Sequence, residues 1–431
     1  MLVKVTDSAH TMEHAKALDK NVIDASDEPC NQLDMKKLLL IAHVFGVHPF
    51  KGTSKHNTTN CCEKGSWHCQ ISVFGTILAG INLLAVINHF QFEILSYLTN
   101  ISSGIFSDAS TESILQIIIF LVTLLTLLLC FSNVNNSHRL LHYVNTLQIH
   151  KTSHRHFLMF WKYLVTIIFL VSYVIKIAGQ FMLSFVLYDY SDDTTDVRGF
   201  NKVLQYIDKI YYNLVEFPIC QIPLLYLSIM AMAIGMAFKE NSQRFDAVKP
   251  MTRHSLHLFH EQLNKLSVII NQFDKNFNKL LLLTVISSLI QIIFRAYLFI
   301  TNVVKPPKSD QQRIALFLDS LNMLIANFTW TFVVVLGTCV YVNEISRSGI
   351  FRISSELVDE DLKHLKDQVY QKLTDYSWGF SIGHFVRIER PLILTMISLI
   401  FTIVVIWIQF SMSASQAPTP PTTMIAPFKP F

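Results

Sequence analysis

The sequence predicts an all-α membrane protein with seven transmembrane helices, a cytoplasmic N-terminus, an extracellular C-terminus, and cytoplasmic helical extensions that form an anchor region. Three observations carry this. Hydrophobic residues fill 51% of the 431 positions and charged ones only 15%, against about 25% charged in soluble domains. The apolar residues gather in runs of about 18 or more, enough to cross roughly 30 Å of hydrocarbon. Lys and Arg concentrate in alternate connections between those runs, as cytoplasmic loops require.

The spans fall at Ile71–Phe92, Ser113–Phe131, Phe160–Phe185, Tyr212–Phe238, Lys279–Thr301, Met323–Val342 and Pro391–Phe410. Pro218 and Pro223 sit in the fourth, a tolerable place in a bundle where neighbours satisfy the freed carbonyls. The segments before the first span and after the second, fourth and sixth hold about 24 Lys and Arg, the remaining connections and tail about seven. That bias places the N-terminus in the cytoplasm. The N-terminal stretch lacks the basic start and apolar core of a secretory signal, so the first span is expected to act as its own insertion signal.

The resulting organisation is a cytoplasmic N-terminal segment (1–70), six helices with their extensions (71–342), a cytoplasmic helical segment (343–390), a last helix (391–411) and an external tail (412–431). The tail is rich in Pro, Ser and Thr, which predicts disorder. A net charge of +4 gives no sign of a nucleic-acid partner. His56, Cys61, Cys62, His68 and Cys69 match no zinc-finger spacing, so neither metal nor cofactor is expected. Cysteines this close to a span are candidates for lipidation. His138, His142, His150, His154 and His156 read as a solvated or lipid-facing surface.

Between the fourth and fifth spans, Leu256, Phe259, Leu263, Leu266, Ile270, Phe273 and Phe277 recur at alternating steps of three and four. That is an a/d seam on a helix running into the fifth span. Leu362, Leu365, Val369 and Leu373 repeat it more loosely. Such seams bury themselves either against another subunit, as an oligomer anchor, or in a hairpin of the same chain.

Two polar patterns lie inside the spans. Thr402, Ile406, Gln409 and Ser413 share one face of the last helix, which suits a pore wall or interhelical hydrogen bonds. Lys176, Gln180, Tyr212, Glu216, Gln291, Arg295, Asn327 and Trp330 fall in the outer halves of helices three to six. Ionisable groups at that depth are costly and usually face a cavity or each other. A pocket open to the outside accounts for the set, with internal salt bridges, such as Glu216 with Lys176 or Arg295, as the alternative.

The last span ends Thr402-Ile403-Val404-Val405-Ile406-Trp407-Ile408-Gln409-Phe410. This resembles the signature of the insect gustatory receptor family, Thr-Tyr, five mainly apolar residues, then Gln-Phe, with Ile403 in place of the Tyr. Phe380, Gly383, Phe385 and Leu392–Leu394 are similar to the family's lead-in, and Gly46-Val47-His48-Pro49 to an element ahead of its first span. The resemblance implies a homotetrameric or hetero-oligomeric, ligand-gated, nonselective cation channel in the plasma membrane of sensory neurons. A small tastant would open a central pore lined by the last helix, and the gate would lie at Thr402, Ile406, Gln409 and Phe410. The branch that senses sugars places Glu where this chain has Val404, so the resemblance favours a bitter or other small molecule. A G-protein-coupled receptor would need the opposite orientation, and neither Asp-Arg-Tyr after helix three nor Asn-Pro-x-x-Tyr in helix seven is present. A transporter would show inverted halves, and an enzyme a nucleophile–base pair; neither pattern is seen.

Overall fold

The computed structural model describes residues 50–53, 68–71, 73–100, 108–145, 147, 149, 151–190, 199–248, 251–304, 314, 317, 320, 321, 324–355 and 360–415. His56, Cys61, Cys62, His150 and the Gly46–Pro49 element lie outside these residues. Strands β1 (Phe50–Thr53) and β2 (His68–Ile71) pair antiparallel, Phe50 opposite Ile71 and Thr53 opposite His68. This hairpin was not anticipated; its two arms lie too far apart in sequence to show a turn signal.

The long helices follow: α1 (Val73–Asn100), α2 (Asp108–Asn145), α3 (Thr152–Tyr190), α4 (Gly199–Ala247) and α5 (Arg253–Val304). A π-helical turn, Thr329–Leu336, leads into α6 (Gly337–Ile345), then come α7 (Ile350–Ser355) and α8 (Glu360–Thr374). A short hairpin, β3 (Ser381–Ile382) and β4 (Val386–Arg387), precedes the last helix, α9 (Arg390–Ser415). Among the described residues, five helices are long and apolar enough to cross a membrane, and Thr76–Gln91 and Ile114–Cys130 are shorter apolar helices. These seven coincide with the seven expected spans. Met412–Ser415, expected in the tail, are helical.

Helix α4 is the central post, packed by α1, α2, α3, α5 and α6. Its Ile219–Phe238 stretch is apolar on every side and almost wholly buried, as a helix without a polar face must be. Gly235 lets α6 approach closely, since a Cβ there would lie 3.1 Å from Val342 and 3.3 Å from Tyr341. Pro218 and Pro223 are inside this helix. Pro218 has no N–H for the Leu214 carbonyl, which instead accepts a hydrogen bond from the Tyr173 hydroxyl at 2.9 Å.

The heptad seam of α5 closes on the chain itself. Leu256, Phe259, Leu263, Leu266, Ile270 and Phe273 are all buried within one copy. The Phe259 ring stacks on Phe245 at 4.4 Å, and Phe273 meets Phe380 edge-on. Val369 and Leu373 of α8 join the same core. Of the two alternatives for the seam, packing within the same chain is the one that covers these six side chains in one copy. His154 is a correction. It is buried rather than surface-facing, with its Nδ1 3.8 Å from Glu240.

Hairpin β3–β4 is pinned to α5. Asp274 accepts the Ser381 N–H at 2.6 Å and the Ser381 hydroxyl at 2.8 Å, and the His384 ring stands 3.2 Å away. Gly383 and His384 both adopt positive φ, which turns the chain in so short a loop.

Candidate ligand and pore-lining residues

The polar residues of the spans gather in the half of the bundle remote from α8, and they divide into three groups. Lys176 of α3 pairs with Glu216 of α4, both buried. Of the two partners open to Glu216 by sequence, the fold selects Lys176. Each ion alone at this depth would be strongly unfavourable, so the pair is held as a unit. The Lys176 ammonium also lies 5.4 Å from the Phe217 ring centre, where the ring face attracts a cation.

Around this pair stands an aromatic cluster that the sequence reading missed. Phe169 and Tyr173 of α3 lie against Phe217, at 5.8 and 6.0 Å between centroids. Phe169 also meets Trp330 edge-on at 6.1 Å. The spacing of Phe169 and Tyr173 puts them on one helical face, a signal that was there to be read. Trp330 is buried, and its indole N–H has no hydrogen-bond partner among the described residues. It sits in the π-helical turn, a widened coil that often marks functional positions in helices.

In the second group, Asn327 Nδ2 donates to Gln291 Oε1 at 3.0 Å, and Gln291 Nε2 donates to Ser287 at 2.8 Å. The Ser288 and Thr331 hydroxyls stand 2.5 Å apart one turn along. Arg295 is buried further along α5.

Tyr212 forms the third group, facing α1 and α2 instead: it stacks on His89 at 4.0 Å and packs with Val86 and Phe120. Beside it, the Tyr211 hydroxyl donates to Asn82 at 2.7 Å. Gln180 belongs to α3, with its side chain outside the described residues. The structure thus brings Lys176, Glu216 and Trp330 into one cluster, joins Gln291 to Asn327, and sets Tyr212 apart.

Helix α9 is built differently from the rest. Within its apolar window 6% is buried, against 83% for α4. Ile393, Ile397, Ile400, Val404 and Trp407 form the face turned to the bundle, where Trp407 meets Tyr297 at 5.0 Å and Phe294 at 5.7 Å. At about 100° per residue, Thr402, Ile406, Gln409 and Ser413 fall on the opposite side. Thr402, Ile406 and Gln409 are exposed in the single chain, while the Phe410 side chain lies outside the described residues. Thr402 donates its hydroxyl to the Ser398 carbonyl at 2.8 Å, and Thr395 does the same to Pro391. Both hydroxyls are thereby satisfied within the helix.

The same arrangement of helices occurs in the insect olfactory receptor OR5 from Machilis hrabei in complex with eugenol. That structure matches with a TM-score of 0.65 at 11% identity, over 87% of this chain and 97% of that chain. A second structure of that receptor matches over the same shares with a TM-score of 0.59 at 12% identity. At these identities the likeness is one of fold. No curated protein sequence matches the chain. From ahead of β1 to the final turn of α9, residues 36–414 match the 7tm chemosensory receptor family, and the chain belongs to it.

Proposed function

We propose that this chemosensory receptor is itself the channel: a taste receptor whose copies assemble around a central cation pore lined by α9. The observation that carries the reading is the placement of Thr402, Ile406 and Gln409 diametrically opposite the face that α9 packs on α5. A helix surrounded by lipid gains nothing from hydroxyls and an amide aligned on its outer side. Between copies the same stripe supplies partial hydration to a passing ion, and Ile406 with Phe410 forms a hydrophobic constriction that closes by dewetting. No acidic or basic residue lies on this face, which supports weak discrimination among monovalent and divalent cations.

The ligand is a small molecule received among Lys176, Glu216 and Trp330, with their aromatic neighbours as walls. Rings give such a pocket most of its binding area, and the few polar groups orient the ligand. Gln180, Tyr212, Gln291, Arg295 and Asn327 complete the proposed outer region. With the seam of α5 enclosed, contacts between copies, as a homotetramer or with related receptors, fall to the outer surface of the extension. Leu258, Tyr370 and Phe385 are exposed there. The orientation, N-terminus in and C-terminus out, follows the Lys and Arg bias, and the family supports a place in the plasma membrane of sensory neurons.

Purified protein reconstituted in planar bilayers and presented with a panel of bitter and other small molecules tests the proposal. Ligand-evoked current carried by both sodium and potassium, from a particle with the mass of several copies, is the expected result. A single-copy particle silent to every stimulus refutes it.

A further inference from the structure

We propose that the guanidinium groups of Arg347 and Arg387, roofed by the Tyr376 ring at the base of α9, form a binding site for a phosphate group. Both cations lie against one ring, with Arg347 Cζ 4.5 Å and Arg387 Cζ 5.4 Å from the Tyr376 centroid. Arg387 Nε, Nη1 and Nη2 and Arg347 Nε are buried without a hydrogen-bond partner among the described residues. Such charged donors, shut from water and without a hydrogen bond, are unfavourable.

Two of the three carboxylates nearby are engaged elsewhere. Asp375 accepts the Ser377 N–H at 2.7 Å and its hydroxyl at 2.6 Å, and Glu344 is held by Arg390 at 2.5 Å. Glu389 stands 3.6 Å from Arg387 Nε, its own side chain largely in solvent. Arg347 spends one nitrogen on the carbonyls of Asp375 and Trp378, at 2.8 and 3.4 Å. Burial, with Arg347 adding repulsion, lowers the Arg387 guanidinium to about 10, so it keeps its proton at physiological pH. The open Arg387 fork, with the Arg347 Nε beside it, is what a phosphate oxygen set satisfies.

Backbone and position agree with that ligand. Gly379 has φ of +125°, and a Cβ there would lie 2.5 Å from Arg387 Nη2, so the chain leaves this volume to the guanidinium. Tyr376 is 71% exposed, so its ring is the outer cover of the two guanidinium groups. Arg387 closes β4 just ahead of Arg390 and Pro391, where the apolar span of α9 begins. That is the depth of lipid headgroups, and a soluble phosphate reaches it equally. An anion bridging Arg347, after α6, and Arg387, before α9, fixes the base of the last helix. The anion site itself does not depend on α9 lining a pore.

Full-length protein in phosphatidylcholine nanodiscs, free of phosphate buffer, is titrated with dioctanoyl phosphatidylinositol bisphosphate, inositol trisphosphate and inorganic phosphate. Binding is read by calorimetry and by the thermal midpoint. The expected result is saturable binding that raises the midpoint, weakened about tenfold in Arg387→Gln and in Arg347→Gln. Without phosphate, Arg387→Gln melts no lower than the parent, because one of two facing like charges is gone. Tyr376→Ala, on an exposed side chain, binds several-fold tighter. Preference for the lipid identifies a headgroup as the ligand, and equal binding of the soluble probes a free phosphate. Absence of binding by every probe, binding unchanged in both arginine variants, or no tightening in Tyr376→Ala overturns the proposal.

Discussion

Tyr173 donates its hydroxyl hydrogen to the Leu214 carbonyl at 2.9 Å, the carbonyl that Pro218 leaves without a helical donor. Two helices are joined at the point where one lacks an internal bond. Tyr173→Phe should cost about 1 kcal/mol of unfolding free energy. In a Pro218→Ala background, residue 218 regains its N–H and the cost of Tyr173→Phe should shrink towards zero. A double-mutant cycle on detergent-solubilised protein measures this; equal costs in both backgrounds would falsify the link.

The Lys176–Glu216 pair behaves as a unit. Lys176→Met alone strands a buried carboxylate and should destabilise the fold by about 3–5 kcal/mol. Adding Glu216→Leu should recover most of that loss, because two apolar side chains replace two desolvated charges. Thermal midpoints of the single and double variants decide. A double variant no better than Lys176→Met would mean that the ion pair is not the coupling between these positions.

Leu263 lies in the buried seam of α5, so a charge there attacks the subunit's own core before it reaches any assembly. Leu263→Ala should cost about 2–5 kcal/mol, and Leu263→Asp should abolish monodisperse protein on gel filtration. A folded but merely dissociated Leu263→Asp subunit would show that the seam serves contacts between copies after all.

Gln409 is exposed on α9 and far from the core, so Gln409→Ala should leave expression and thermal midpoint within about 0.5 kcal/mol of the parent. Basal or ligand-evoked current in bilayers should change. Currents identical to the parent in both conductance and open probability would remove Gln409 from the gate.

Gly379 holds a positive φ that L side chains rarely adopt, with Arg387 Nη2 in the space of a Cβ. Gly379→Ala should therefore cost about 1–3 kcal/mol. An alanine variant as stable as the parent would mean that Arg387 yields freely.

Comparison of these elements with the sequence shows what each kind of pattern reports. The spans were legible because hydrocarbon thickness demands unbroken apolar runs, and Ile71–Phe92 through Pro391–Phe410 each coincide with an apolar helix. Periodicity also identified Leu256–Phe277 as a buried seam, but a 3,4 repeat says only that a face is covered, not by which chain. Glu216 had two candidate cations, and only the meeting of α3 with α4 selects Lys176. Arg347 and Arg387 are 40 residues apart in sequence and look like ordinary loop charges until the turn after α8 brings both beneath Tyr376. His154 looked like one of several surface histidines; the carboxylate that faces it comes from α4, far along the chain. The π-helical turn at Trp330 breaks the ordinary helical period in a stretch so apolar that no face stands out to reveal it.

Helix α9 is clamped at its foot by the hairpin tied to Asp274 and is touched near its far end chiefly through Trp407 on Tyr297 and Phe294. Mechanically it is a lever held at its foot and leaning along one side on α5. Strain arising among the distant helices reaches it through that side. Stiffening the Trp407 end of the contact would change how far the outer end tilts while leaving the central post undisturbed.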